Sequence, residues 1–351
     1  MPHPLLIYGA SGFSGKLMTA AALELGLRPV LAGRDERKLA TLAEPLGLPY
    51  RAVRLADAAG LEAALAEVRV VLHAAGPFSE TSRPVVDACL RTGTHYLDIT
   101  GEIPVIEALA RRHAEARARR VMVMPGVGFD VVPSDCLAAH VARRLPGAER
   151  LALGIKGLKF ATRGSAKTLV EHAGHGARVR QGGVITTVPP LSLQRAFDYG
   201  DGPRQSLNIS WGDVAAAWYT TGIPNIEVYF DATPTLRGML AAGRYFGWFL
   251  RTAPWQAWLK ANADMFAEGP SDAERARSWM VIVAEAEDAR GRRVRARLRT
   301  PEAYAFTGAC GPAIARRVLA GDLELGFQTP GRVYGPDFVL SFAGVSREDL
   351  E

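Results

Sequence analysis

LLIYGASGFSG, residues 5–15, is a short apolar run that ends in three glycines spaced three residues apart. We expect Gly9 to allow a tight turn out of a strand, Gly12 to let the backbone approach a bulky group, and Gly15 to let the next helix pack closely on that strand. The unpaired amides at the start of such a helix favour a phosphate. The stretch therefore predicts a strand, a phosphate-binding turn and a helix.

Apolar runs alternate with helical patterns through the first 145 residues. The predicted strands are 4–8, 28–32, 50–54, 69–73, 95–98 and 121–124, and the predicted helices are 13–25, 35–45, 58–66, 80–92, 102–119 and 134–144. Six short strands separated by helices indicate a Rossmann-type, doubly wound parallel sheet. The glycine turn lies between the first strand and the first helix, where such a fold binds the pyrophosphate of a dinucleotide.

The length of 351 residues predicts two domains. We expect an α/β Rossmann domain over 1–146 and an α+β domain over 147–351 that binds substrate or mediates a homodimer. The patterns after residue 146 predict a strand over 150–160, a helix over 164–179 and a hairpin of two strands over 278–289 and 292–300. A helix over 301–321 is predicted to pack back on the first domain.

Several classes of protein are excluded by composition. The three cysteines share no close spacing, which argues against a zinc site or a disulfide framework and favours a reduced, cytoplasmic setting. The N-terminus lacks the pattern of a signal peptide, and no stretch reaches the roughly 18 apolar residues of a membrane span. The net charge of +6 invites a nucleic-acid interpretation. The densest basic stretch, 111–120, has no interleaved aromatic residues, so we expect a solvated helix face and no nucleic-acid partner.

The end of the second strand predicts which dinucleotide binds. An acidic residue there would bind the 2′-hydroxyl of NAD, but Gly33 is followed by Arg34, with Arg37 and Lys38 on the next turn. A guanidinium fits a 2′-phosphate by charge and by planar geometry. Asp35 is expected to cap the next helix. The predicted cofactor is therefore NADP(H), with Arg34 and Lys38 as contacts.

The rest of the predicted cofactor site lies in two loops. Beside the three glycines, the first turn contributes Ser11, Phe13 and Ser14. The fourth strand ends in small residues and a proline that would let the backbone approach the ribose and nicotinamide: Ala75, Gly76 and Pro77. A plain strand-to-helix turn is the alternative interpretation of this second loop.

Seven ordered motifs carry a resemblance to a known family. They are GASGFSG (9–15), AGRDERKL (32–39), AAGPF (74–78), THYLDITGE (94–102), GVGFDVVPSD (126–135), WGDVAAAWYTTGIPNIEVY (211–229) and GFQTPGRVYGPDF (326–338). In these the chain resembles the saccharopine dehydrogenase-like NADP-dependent oxidoreductases. The branch it is most similar to holds the trans-acting enoyl reductases and the eukaryotic saccharopine dehydrogenase-like oxidoreductases.

The resemblance implies an NADP-binding first domain, a second α/β domain and a cleft between them at the nicotinamide. The enoyl reductase branch implies an apolar or lipid-linked unsaturated substrate. Saccharopine itself would need convergent arginines, whereas the arginines here lie mostly on helical faces, among them Arg111, Arg112, Arg143 and Arg144. Two alternatives stay open: a saccharopine-type C–N bond oxidoreductase, and a non-catalytic, lipid-associated protein that binds NADP(H).

Reduction of a polarised double bond consumes one hydride and one proton, so a proton donor is needed. Tyr96 and Tyr304 each lack the lysine four residues later that a short-chain dehydrogenase pair requires. The sequence therefore assigns no catalytic residue. Glu102 and Asp130 follow the fifth and sixth predicted strands, at the edge where doubly wound sheets bind ligands, and are candidates for substrate contact. Glu102 has the alternative role of starting the next helix.

In the second domain, Asp213, Trp218 and Tyr219 are the candidates for a substrate pocket, with core packing as the alternative. Ser134 and Asp135 are predicted to cap a helix.

His172 and His175 are three apart in a helical pattern, but no third ligand with suitable spacing accompanies them, so no metal is predicted. Residues 236–266 crowd aromatic side chains among arginines. This segment is predicted either to pack on the core or to contact lipid or an acyl chain as a peripheral surface.

Overall fold

A computed structural model describes residues 4–158, 176–250, 252, 254, 255 and 269–350. It divides into two compact units. The first combines Met1–Asp130 with Tyr304–Val333, and the second combines Val131–Ala303 with Tyr334–Glu351. The chain thus changes unit after residue 130, whereas the sequence predicts a domain boundary after residue 146.

The strands, in chain order, are β1 (Leu5–Tyr8), β2 (Val30–Gly33), β3 (Tyr50–Ala52), β4 (Val70–His73), β5 (His95–Asp98), β6 (Met122–Met124), β7 (Ala148–Lys156), β8 (Ala177–Gln181), β9 (Val184–Val188), β10 (Gln194–Asp198), β11 (Pro203–Asn208), β12 (Asn225–Asp231), β13 (Trp279–Asp288), β14 (Arg293–Pro301), β15 (Gly326–Phe327) and β16 (Ser346–Leu350).

The helices are α1 (Phe13–Glu24), α2 (Glu36–Ala43), α3 (Ala58–Ala66), α4 (Phe78–Thr92), α5 (Ile103–Ala110), α6 (His113–Ala118), α7 (Val132–Arg144), α8 (Asp213–Thr221), α9 (Pro234–Leu250), α10 (Asp272–Arg277), α11 (Ala303–Leu319) and α12 (Pro330–Tyr334). Short 3-10 helices cover Glu44–Leu46 and Phe338–Ser341.

The first unit is built on a parallel sheet in the order β15-β6-β5-β4-β1-β2-β3. Its central strands β1, β2 and β4 are buried along their whole length, as strands covered by helices on both faces require. Because all strands run the same way, their carboxyl ends meet at one edge. The predicted fold class, a Rossmann-type doubly wound parallel sheet with a second α+β domain, is confirmed.

Two glycines let α11 pack closely within the first unit. A Cβ atom on Gly308 would lie 2.9 Å from the Cβ of Leu17 on α1. A Cβ on Gly311 would lie 3.3 Å from side-chain atoms of Leu72 and Met18. α11 therefore packs on apolar residues of α1 and β4.

The single helix predicted over 102–119 is wrong, since the structure has two helices there, α5 and α6. The backbone turns at Arg112, where φ is −90° and ψ is 8°. The guanidinium of Arg112 forms ion pairs with Asp87 on α4 and Glu115 on α6. A tertiary ion pair thus accompanies the break in the helical pattern.

The second unit contains a mixed sheet, with nine strands among the described residues, in the order β10-β11-β12-β7-β13-β14-β16 and with the β8–β9 hairpin joined to β12. β12 and β7 are parallel, and the other pairs are antiparallel. Its core includes Ala152, Phe197, Tyr199, Tyr229 and Val283. The predicted hairpin is confirmed as β13 and β14.

Residues 177–179 were predicted as the end of a helix, and this is wrong because they begin β8. Ala177 and Val179 are buried on one face of the strand, the alternation expected of a half-buried strand. The turn to β9 is formed by Gly182 and Gly183, which both have positive φ. The rest of the predicted helix, up to residue 175, lies outside the described residues.

Candidate functional site

The glycine turn after β1 is tightly packed on one side and open on the other. Gly9 has φ +87°, and a Cβ on it would lie 2.9 Å from the Cβ of Ala75. A Cβ on Gly15 would lie only 2.2 Å from the carbonyl oxygen of Gly9. Gly12 is exposed and is the N-cap residue of α1. A Cβ added to Gly12 would lie within 4 Å of one atom, the carbonyl oxygen of Gly9, at 3.2 Å. The turn therefore leaves a cradle above Gly12 at the positive end of α1.

Three other predicted residues lie in the same turn. Ser11, Phe13 and Ser14 are half-buried, and the Phe13 ring packs edge-on against Tyr304 of α11 with the ring centroids 5.4 Å apart. This contact ties the start of α1 to α11 within the first unit.

The loop after β4 lies against the glycine turn. The amide of Ala74 donates to the carbonyl of Tyr8 at 2.8 Å. The hydroxyl of Thr81 donates to the carbonyl of Ala75 at 2.7 Å. Gly76 is exposed, and Pro77 begins α4. Two of the predicted cofactor loops are thus adjacent at the carboxyl edge of the sheet.

Glu102 fixes the end of this loop rather than starting its own helix with a cap. Its two carboxylate oxygens accept hydrogen bonds from the amides of Phe78 (2.7 Å) and Ser79 (2.8 Å). α5, which begins directly after Glu102, has no side-chain cap. A carboxylate at the N-terminus of α4 also suits the helix dipole. Glu102 is thus a positioning residue for the loop that precedes α4.

The carboxyl end of β2 presents an exposed guanidinium. Among the residues that the structure describes, Arg34 has no ion-pair or hydrogen-bond partner for its side chain. Asp35 accepts a hydrogen bond from the amide of Lys38 at 3.1 Å, which confirms its predicted role as the cap of α2. The Lys38 ammonium lies 3.8 Å from the Asp35 carboxylate. Arg34 is therefore available for an anionic ligand.

Arg54, to which the sequence assigned no role, follows β3, the neighbour of β2. The amide of Val53 donates to the carbonyl of Gly33 at 2.9 Å, so the ends of the two strands are joined. Arg54 is exposed, and its side chain is unpaired within the described part of the chain. The sequence signal that points to Arg54 is a basic residue directly after the third strand.

We expect Arg34→Ala to weaken NADPH binding roughly ten- to a hundredfold, because a charge-assisted hydrogen bond is worth about 1.5–3 kcal/mol. NADH affinity should hardly change, since NADH has no 2′-phosphate. Fluorescence titration with both nucleotides measures the two dissociation constants. Arg290→Ala, at an exposed and unpaired arginine of the second unit, is the matched control. Equal losses for both nucleotides would show that Arg34 stabilises the structure instead.

A buried hydrogen-bonded chain joins the ends of β4, β5 and β6. Nδ1 of His73 lies 3.1 Å from the Tyr96 hydroxyl, which donates to the Asp98 carboxylate at 2.7 Å. The same carboxylate accepts hydrogen bonds from the amides of Thr100 (2.9 Å) and Gly126 (3.1 Å). The network locks the loops that follow three adjacent strands.

Burial dominates the ionisation of this network. Desolvation lowers the pKa of His73 to about 3, so the imidazole is neutral at physiological pH. Desolvation also raises the pKa of Asp98 to about 6, against the opposing effect of its three hydrogen-bond donors. The pKa of Tyr96 lies well above its usual value because of burial and the nearby Asp98 charge. These groups are held as structural partners.

Asp130 ends the loop that follows β6 and is half-buried. Its carboxyl packs against Gly101, where an added Cβ would lie 2.7 Å from one carboxyl oxygen. Desolvation raises the pKa of Asp130 to about 7, and the negative charge of Glu102 adds to the effect. The structure thus brings the two predicted acidic residues of the first unit close enough to interact electrostatically.

The candidates of the second unit are engaged in packing. Asp213 is fully buried and accepts a hydrogen bond from the Ser134 hydroxyl at 2.8 Å. Ser134 was predicted as a helix cap, and this is wrong: its hydroxyl donates to Asp213 and to the carbonyl of Val131, and α7 has no side-chain cap. Asp135 is fully buried in the first turn of α7, where its acidic side chain suits the helix dipole.

Trp218 and Tyr219 are half-buried on α8 and lie under one guanidinium. The guanidinium carbon of Arg180 is 5.2 Å from the Trp218 ring centroid and 6.0 Å from that of Tyr219. Arg180 is itself buried and donates to the carbonyl of Val214 at 2.9 Å. The two aromatic rings therefore form a cation–π cluster on α8.

The residues that the structure describes contain no group of three or more His, Cys, Asp or Glu side chains placed to hold a metal ion. None of the helices in the described ranges is both long enough and apolar enough to span a bilayer. His172 and His175 lie outside these ranges, and the cytoplasmic setting stays a prediction.

Residues 5–124 match the family model described as saccharopine dehydrogenase NADP binding domain. A trans-acting enoyl reductase of Mycobacterium leprae is 37% identical over 150 residues, which are 40% of this chain and 36% of that protein. A saccharopine dehydrogenase-like oxidoreductase of Mus musculus is 29% identical over 166 residues, which are 42% of this chain and 39% of that protein. The matched segment thus spans less than two fifths of each relative.

The fold is shared with solved structures over nearly the whole chain. Apo saccharopine dehydrogenase (L-Glu forming) from Saccharomyces cerevisiae has a TM-score of 0.70 at 14% identity, covering 99% of this chain and all of that one. The homospermidine synthase of Legionella pneumophila in complex with NAD has a TM-score of 0.64 at 9% identity, covering 100% and 92%. The predicted cofactor, NADP(H), and the resemblance stated above are confirmed. Residues 5–124 of this chain are therefore similar to the NADP-binding domain of the saccharopine dehydrogenases.

Proposed function

We propose that this protein uses NADPH to reduce an apolar or lipid-linked unsaturated substrate of the enoyl type. The observation that carries the proposal is the chemistry of the carboxyl edge of the sheet. The loops after β4, β5 and β6, residues 74–77, 99–102 and 125–131, contain two carboxyl groups, Glu102 and Asp130, and no arginine or lysine. Such an edge offers no cation to pair with a substrate that carries several carboxylates, and it suits a neutral substrate.

The similarity to trans-acting enoyl reductases supports the same substrate class. It falls on the cofactor-binding part of the chain. The alternative of a C–N bond oxidoreductase is supported by the fold shared with the yeast saccharopine dehydrogenase, at 14% identity. The loop chemistry favours the enoyl proposal over this alternative.

α9 supports an acyl or lipid ligand. Its sequence contains two arginines and no acidic residue. Tyr245 and Trp248 are each 69% exposed, and Phe246 is 59% exposed, so the aromatic rings are not core residues in the described structure. Exposed aromatic clusters of this kind mark contact with apolar ligands or membrane surfaces. We propose this part of the predicted 236–266 segment as the contact for the acyl chain or its lipid carrier; residues 251, 253 and 256–266 lie outside the described ranges.

The residues of the first unit have separate parts in the proposed reaction. The turn at Gly12 and the guanidinium of Arg34 would hold the pyrophosphate and the 2′-phosphate of NADPH. Glu102 and Asp98 fix the loops that would contact the nicotinamide half. NADPH, when bound, supplies a hydride. The protein must orient the substrate and deliver a proton.

We expect the efficiency of NADPH oxidation to rise with the acyl length of enoyl thioesters. Each buried CH₂ contributes about 0.8 kcal/mol, so kcat/KM should increase roughly fourfold per methylene until the groove is filled. NADPH absorbance measures the rate, with glutamate plus an aldehyde as the test of the C–N alternative. Turnover of the amino-acid pair alone would overturn the enoyl proposal. Tight NADPH binding without turnover of either would instead favour the non-catalytic, lipid-associated alternative.

A further inference from the structure

The loop after β6 is held rigidly up to Asp130. The amide of Val127 donates to the carbonyl of Asp98 at 2.7 Å, and the amide of Gly126 donates to its side chain at 3.1 Å. On the other side, the amide of Phe129 donates to the Thr307 hydroxyl of α11 at 2.9 Å. The carboxyl that follows is therefore placed by backbone hydrogen bonds and not by its own side chain.

The side chain of Asp130 makes no polar contact that would explain it as a stabilising residue of the described structure. Within residues 4–158, 176–250, 252, 254, 255 and 269–350, it makes no hydrogen bond and no ion pair. By contrast, both oxygens of neighbouring Glu102 are engaged by amides, and Asp98 accepts three hydrogen bonds. A half-buried carboxyl without a partner is costly for stability. Such a cost is common where a group acts on a ligand.

The position of Asp130 matches the nicotinamide half of a dinucleotide fold. Arg34 marks the adenosine half at β2, so the nicotinamide belongs over the half formed by β4, β5 and β6. Asp130 lies at the carboxyl edge of that half. We infer that Asp130 is the catalytic proton donor of the reduction, an assignment that rests on the proposed function.

The chemistry balances with one carboxylic acid and one NADPH. The hydride adds to the carbon distant from the thioester carbonyl and reduces the double bond, while NADPH is oxidised to NADP⁺. The electron pair of the double bond forms a C–H bond at the carbon next to the carbonyl, and the O–H bond of Asp130 breaks. The Asp130 carboxylate then regains a proton from water, because its half-buried side chain is accessible to solvent.

The proton is available at the pH at which the reaction would run. Desolvation is the larger cause that raises the pKa of Asp130 to about 7. The negative charge of Glu102 is the second cause. Because the folded-state pKa is raised, the acid is retained below pH 7 and lost as the pH rises through about 7. A general acid with a pKa near the working pH is well matched to its task.

We expect Asp130→Asn to lower kcat on an enoyl thioester by roughly a hundredfold to ten-thousandfold, the usual worth of a general acid. The wild type should lose activity above about pH 7, and the variant should lack this inflection. NADPH affinity should stay within about twofold, since the cofactor does not depend on the carboxyl. Asp57→Asn is the matched control, because Asp57 is an exposed cap of α3 and asparagine caps equally well.

A second measurement does not depend on turnover. In protein labelled with ¹³C at the aspartate carboxyl carbons, one resonance of the apo wild type should titrate near pH 7 and be missing in Asp130→Asn. Gly101→Ala should also lower kcat, because the added Cβ would displace the Asp130 carboxyl. If Asp130→Asn keeps the kcat and the pH profile of the wild type, the assignment of Asp130 is wrong, while the proposed function still stands. An enzyme that turns over no enoyl thioester would overturn the proposed function, and the assignment with it.

Discussion

Asp98→Ala is expected to lower the free energy of unfolding by about 3–6 kcal/mol, since each of three buried donors left unsatisfied costs about 1–2 kcal/mol. The donors are the Tyr96 hydroxyl and the amides of Thr100 and Gly126. Asp98 and Tyr96 are fully buried, so these donors lie away from bulk solvent. Urea unfolding followed by circular dichroism measures the change at pH 7.5.

Two comparison variants make this result specific. Tyr96→Phe removes one hydroxyl and should cost about 1 kcal/mol. Asp57→Ala removes an exposed cap of α3 and should also cost about 1 kcal/mol. If Asp98→Ala costs no more than Asp57→Ala, the buried network does not hold the strand ends together.

Gly12→Val is expected to weaken NADPH binding about a hundredfold or more, because blocking two amide contacts to a charged phosphate removes about 1.5–3 kcal/mol each. The fold should survive, since an added Cβ meets only the Gly9 oxygen, at 3.2 Å. NADPH fluorescence titration and thermal unfolding separate the two effects. Gly15→Ala should lose both stability and affinity, because its Cβ would lie 2.2 Å from the same oxygen.

Gly238→Val is the matched control for this substitution. Gly238 lies on α9, and nothing approaches within 4 Å of an added Cβ. Its NADPH affinity should equal that of the wild type. Unchanged affinity in Gly12→Val as well would remove Gly12 from the cofactor site.

The sheet of the first unit was predictable because parallel strands buried on both faces are short apolar runs. β15 was not, since Gly326–Phe327 has only two residues and no periodicity. It becomes a strand through its neighbour: the amide of Gly326 donates to the carbonyl of Val121, and the amide of Gln328 to that of Val123. Pairing with a distant segment leaves no local signal.

In the candidate site, too, some features have a local sequence signal and others depend on distant parts of the chain. The glycine spacing and Arg34 could be interpreted from local sequence because their physical roles are local. The role of Glu102 could not, since its partners are the amides of Phe78 and Ser79, more than 20 residues earlier in the chain. Asp130 was selected for its position after a strand. The feature that distinguishes it, an unpartnered half-buried carboxyl against Gly101, exists only in the folded chain.

The assembly of the first unit from both ends of the chain has a consequence for its biosynthesis. Residues 1–130 emerge from the ribosome long before Tyr304–Val333, which supplies β15 against the edge of β6 and α11 over Leu17 and Leu72. Until then β6 is an unpaired edge strand, and the apolar surface that α11 will cover is exposed to solvent. The nucleotide-binding unit is therefore completed only after most of the second unit has been translated, although its own synthesis starts first. A fragment cut at the family boundary would keep the glycine turn and lose the elements that close the sheet.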